Sequence, residues 1–174
     1  MSEAVIRRLR WYWPMEAGNV VLVPLLVFGL VVSSGGAVSL ALIIGAAANA
    51  VLLSVGALYW RASLRRLQGD LAAFQFWIPL IARAQVIAAG LTLAVLVATG
   101  AEVIGAGGGW PPSLIGAVGL SALAVLEYLN YYHVQLQHFD NAADLKRLLS
   151  GQGFRRAHMA RDIAAWRKTR ASSI

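Results

Sequence analysis

Four long apolar stretches, near residues 12–33, 37–60, 80–100 and 112–134, constrain this chain more than any other feature. Each approaches or exceeds the ~20 residues that a helix needs to cross ~30 Å of hydrocarbon. Val21 to Val32 and Ala37 to Leu53 are apolar all round, apart from Ser39 and Asn49. A soluble four-helix bundle would carry polar stripes at helical spacing instead. The 13% of charged residues falls well below the roughly 25% of ordinary soluble domains. The expected fold class is an all-α integral membrane protein, a bundle of four transmembrane helices.

Basic residues set the orientation. Fourteen of the fifteen Lys and Arg fall before the first stretch, between the second and third, or after the fourth, and only Arg83 lies inside one. The connections at 33–37 and 100–112 hold none. By the positive-inside rule both termini face the cytoplasm, in a bacterial-type inner (plasma) membrane. The net charge of +7 has a cause in this topology and in attraction to anionic inner-leaflet lipids, so nucleic acid is not expected as a partner. The chain contains no cysteine, which removes disulfides, thiol catalysis and thiolate metal sites.

Two parts follow: residues 1–138 as the transmembrane domain and 139–174 as a short basic amphipathic helical tail. Trp11–Pro14 is expected at the interface, and Pro24 inside the first span. Leu71–Pro79 reads either as an interfacial turn or as the start of a long third helix. Ala41/Gly45 and Ala46/Ala50 place small residues at a spacing that permits close helix approach. In the tail, Asn141 and Asp144 suggest a capped helix through Leu149. Phe154 to Arg170 then suggests a basic helix that lies on the inner leaflet or docks onto a partner through Arg155, Arg156, Arg161, Trp166 and Arg167.

Polar residues inside spans are costly and invite explanation. Counted from the outer ends, Glu16, Arg83 and Glu127 fall at depths of roughly 22–26 Å. They define an expected intramembrane polar layer with Asn19, Asn130, Tyr131 and His133. Its structural reading is an ion pair of Arg83 with Glu127 or Glu16 that fixes helix packing. Alternatively Arg83 snorkels to the headgroups, or the layer serves a substrate, ion or proton. Helices 1 to 3 hold no histidine and no Glu-x-x-His occurs, so neither metal nor haem is expected, and no other cofactor is implied. Serines lack a paired histidine at matching depth, and no catalytic set is recognisable.

Three roles remain. The first is a non-catalytic accessory or self-associating subunit of a membrane assembly, with lipids and other membrane subunits or further copies as partners. The second is an oligomeric channel or small transporter that uses the polar layer. The third is a membrane enzyme acting on a lipid or quinone.

Overall fold

The structure, a computed structural model, describes residues 3–136, 150 and 153–172. Among these the chain is all-helical: α1 (Glu3–Ser33), α2 (Leu40–Leu67), α3 (Leu71–Gly105), α4 (Pro112–Tyr132) and α5 (His158–Ala171). The first four are long and apolar enough to cross a membrane, as in a multi-pass membrane protein. The capped helix expected at Asn141–Leu149 lies outside the described residues.

The helices overrun the apolar stretches that announced them. At ~1.5 Å per residue, the 31 residues of α1 extend about 46 Å, longer than the hydrocarbon core alone. Trp11–Pro14 lies within α1, not at its start. Leu71–Pro79 is the first part of one continuous α3. Pro14, Pro24 and Pro79 sit inside helices, so the carbonyls of Arg10, Val20 and Gln75 lose their usual N–H partner.

Helix ends are closed by specific groups. The Leu42 N–H donates to Ser39 Oγ at 3.2 Å, and the Ala41 N–H donates to Glu102 Oε1 at 3.2 Å. Glu102, at the end of α3, thus satisfies an orphan donor of α2 and sits favourably at the positive end of its dipole. Asp70 caps α3 by accepting the Ala73 N–H at 3.0 Å, and its Oδ2 lies 2.8 Å from Arg65 Nη2. The reversal between α2 and α3 turns on Gly69, whose φ of 96° is strained for residues with a Cβ.

α2 is the central helix. It packs against α1, α3 and α4, and 56% of its apolar window is buried, against 11% for α1. Ala41, Leu42, Ala48 and Leu52 are fully buried. A Cβ at Gly45 would stand 2.9 Å from the Leu120 Cβ, so the small-residue face of α2 does bring α4 close. Polar bonds tie the same helices where no water competes. Asn49 Nδ2 donates to the carbonyls of Gly45 at 2.8 Å and Leu120 at 2.9 Å, and Thr99 and Ser121 share a hydroxyl bond of 2.7 Å between α3 and α4.

α5 turns its apolar side onto the bundle, where Met159 and Ile163 join the core cluster with Tyr59, Ile81 and Tyr132. The segment before it runs antiparallel to the chain leaving α4: Gln135 N–H donates to the Arg155 carbonyl at 2.8 Å and Ala157 N–H to the His133 carbonyl at 3.1 Å. Asp162 locks the arrangement by accepting from the Tyr59 hydroxyl at 2.8 Å and from Arg66 at 3.2 Å. Met159 and Ile163 are thus covered by the bundle, with Trp166 packed beside them, while Phe154 stays exposed.

Candidate functional site

The site follows from this docking. The start of α1, the ends of α2 and α4, and the start of α5 meet at one end of the bundle and enclose a cavity of about 370 Å³. Tyr12, Tyr59 and Trp60 form an aromatic side, with Trp60 edge-on to both tyrosines. Leu9 and Met159 add apolar surface. Arg8, Arg66 and Arg155 bring positive charge, and His158 also lines the hollow. Arg8 lies 3.5 Å from the Tyr12 hydroxyl, Arg66 is shared with Asp162, and His158 Nδ1 meets Arg161 at 2.7 Å. Three arginines from three separate segments line one hollow, and the Arg66 guanidinium also meets Asp162 at 3.2 Å and stacks on Phe74. Planar guanidinium groups suit bidentate recognition of phosphate or carboxylate.

Behind the cavity lies part of the expected polar layer. Glu127 and Tyr131 stand four residues apart on one face of α4. Glu16, buried to 5% exposure, reaches the same place from α1, so both carboxylates converge on the Tyr131 hydroxyl. Tyr131 is 2% exposed and fits only because Gly56 of α2 has no side chain to block its hydroxyl. Among the described residues no basic side chain pairs with Glu16 or Glu127. Glu127 Oε2, Tyr131 Oη and Ser63 Oγ are buried, with no hydrogen bond of full distance and angle to any of them. Tyr131 and Ser63 both line the cavity. Two of these buried polar groups, on Tyr131 and Ser63, therefore belong to the cavity wall.

The other members of the layer fall elsewhere. Arg83 is exposed on α3, and among the described residues no carboxylate pairs with it, which corrects the expected ion pair with Glu127 or Glu16. Depth counting gives height along the bundle but not direction around a helix, and Arg83 shares only the height. Asn130 lines the cavity and accepts the Leu136 N–H at 2.9 Å. Asn19 is half-buried on α1. His133 is exposed, its ring 5.3 Å from that of Tyr128. Of the tail residues, Arg155 lines the cavity, Arg156 pairs through its backbone with Val134, and Arg161 meets His158. Trp166 packs on the bundle core and Arg167 donates to Gln85 at 3.1 Å. Among the described residues, no three His, Asp or Glu side chains gather as metal ligands would.

Sequence reasoning missed the cavity because its walls come from four distant segments. Arg8, Arg66 and Tyr59 were visible only as interfacial basic and aromatic residues, which every such protein carries. Comparison with protein families, curated proteins and solved structures finds no match to this chain.

Proposed function

We propose that this chain is a small inner-membrane protein that holds the phosphate-bearing headgroup of a membrane amphiphile in the cavity at its terminal end, and that it works without catalysis, as an accessory component. The observation that carries this reading is the convergence of Arg8, Arg66 and Arg155 on one hollow whose remaining walls are aromatic and aliphatic. Arginine forks match phosphate, and apolar walls match the glycerol and upper chain region of a lipid. The excess of Lys and Arg at this end, by the positive-inside rule, orients it to the cytoplasm, where anionic headgroups are enriched. Tyr12 and Trp60 suit the same depth.

Self-association has a separate basis in α1, of which Leu9, Glu16 and Val31 alone are buried. A lipid annulus covers such a face as readily as a second subunit, so the cavity leads.

Native mass spectrometry tests the reading. The wild-type chain should retain one phospholipid at detergent levels that strip annular lipid, and Arg155→Gln should weaken that retention about tenfold, the size of one charge-assisted bond. The Arg155 backbone carbonyl still accepts from Gln135 in this variant, so the cavity wall stays in place. A wild-type protein that strips clean contradicts the proposal.

A further inference from the structure

The shortest span gauges the membrane for the rest of the bundle. The 21 residues of α4 extend about 31 Å, the thickness of the hydrocarbon core, so its last residue, Tyr132, stands at headgroup level at the basic end of the molecule. There the Tyr132 hydroxyl donates to the Ile81 carbonyl at 3.2 Å, which marks the same level on α3. α5 crosses this end and separates two hollows. His158 and Met159 line the cavity described above. On the other side Ile163 lines a second hollow of about 50 Å³ with Gln85, Tyr132, Arg156 and Arg167. The two hollows share no residue.

The chemistry of the second hollow is one-sided. Arg167 Nη2 donates to Gln85 Oε1 at 3.1 Å, which leaves the donors of the Gln85 amide to spare. Arg156 and Arg167 are both exposed, so a ligand can reach them. Among the described residues no carboxylate lines the hollow or pairs with either arginine. Two arginines and an amide suit an oxyanion, and the guanidinium fork matches phosphate. Depth selects the source: at headgroup level the phosphates at hand are those of the bilayer. Leu96, 45% exposed, lies about three turns outward on the same face of α3 as Gln85, where an acyl chain would run.

We infer that Arg156, Arg167 and Gln85 form a second headgroup site, separate from the cavity, which holds the phosphate of an anionic phospholipid of the phosphatidylglycerol type. A choline or ethanolamine headgroup would bring its ammonium towards two arginines with no carboxylate to answer it. Arg83 supplies the natural control. It is exposed only two residues from Gln85, and so at nearly the same depth, but it points to the other side of α3 and does not line the hollow.

The test uses the full chain in mild detergent, at levels that strip annular lipid, with bound phosphatidylglycerol counted by native mass spectrometry. The Arg8→Gln/Arg155→Gln background weakens the cavity, so the lipid still retained reports the hollow. One phosphatidylglycerol should remain, and adding Arg156→Gln should weaken its retention about tenfold. The backbone pairing of position 156 with Val134 survives this change, so the wall stays in place. Arg167→Gln should act alike, whereas Arg83→Gln should alter retention by less than about twofold. An equal loss with Arg83→Gln would reveal diffuse attraction to a basic surface and overturn the site. Retention that survives Arg156→Gln/Arg167→Gln, or a background chain that strips clean, overturns it as well. If the background substitutions change nothing while Arg156→Gln does, the cavity reading fails and the second site stands. Inorganic phosphate and an oligoglutamate peptide, each at matched concentration, should leave the lipid in place. Displacement by the first overturns the lipid in favour of a soluble anion, and displacement by the second in favour of an acidic protein.

Discussion

Gly56 of α2 lies directly against the Tyr131 hydroxyl of α4, and a Cβ at position 56 would overlap the phenol. Tyr131 in turn lines the cavity, so this single close approach decides where that wall lies. Gly56→Ala should force the ring aside and lower stability in mixed micelles by about 1–3 kcal/mol, the usual cost of overpacking. Gly56→Ala combined with Tyr131→Phe should recover only part of that loss, because the hydroxyl is the nearest atom in conflict but the ring carbon Cζ remains. Unfolding of the two variants side by side checks both statements.

Arg83 makes a contrasting case. Standing exposed and without a carboxylate partner among the described residues, it should tolerate replacement. Arg83→Gln is expected to change stability by no more than about 0.5 kcal/mol. In a double-mutant cycle with Glu127→Gln the two effects should add. A coupling energy well above that figure would restore the ion pair and contradict the outward placement.

The spans were legible because length and hydropathy suffice for them: nothing else accommodates twenty apolar residues in a row. Ser39, Asp70 and Pro112 mark three of the helix starts in the usual way. The direction of Arg83 was not legible, since an apolar helix in lipid has no polar stripe from which to read a face. The docking of α5 was hidden for a related reason. Its Met159 and Ile163 look like a lipid-facing edge until Asp162 is seen to meet Tyr59 and Arg66, partners about a hundred residues earlier. Glu102 is the one outer-end carboxylate near α2, and a helix N-terminus close by is the simplest reason for it.

Asp162 should therefore control the tail. Asp162→Ala removes the acceptor for both Tyr59 and Arg66 and should speed tryptic cleavage at Arg155 and Arg156 by loosening α5. Tyr59→Phe should do so more weakly, because Arg66 still holds the carboxylate at 3.2 Å. The double variant should be no faster than Asp162→Ala alone, as expected for groups that act through one another.

Strong acid should loosen the start of α3. The Ala73 N–H, and then Arg65, hold the Asp70 carboxyl below its ordinary value of 3.8. A depressed carboxyl contributes its stabilisation above the unfolded value, and that contribution fades as pH falls below 3.8 through the folded value. Amide exchange at Ala73 should accelerate over this range in the wild-type chain. In Asp70→Asn, which can still cap but does not ionise, exchange at Ala73 should show no such step.

The proposed contact of Arg8, Arg66 and Arg155 with a phosphate can be read directly. With guanidinium nitrogens labelled and one phospholipid supplied per chain, phosphorus–nitrogen dipolar coupling in solid-state NMR reads that contact without interference from bulk lipid. Strong coupling is expected in the wild-type chain, reduced to the share of Arg66 in Arg8→Gln/Arg155→Gln. Absence of coupling in the wild type, or coupling undiminished by the double substitution, would contradict the contact.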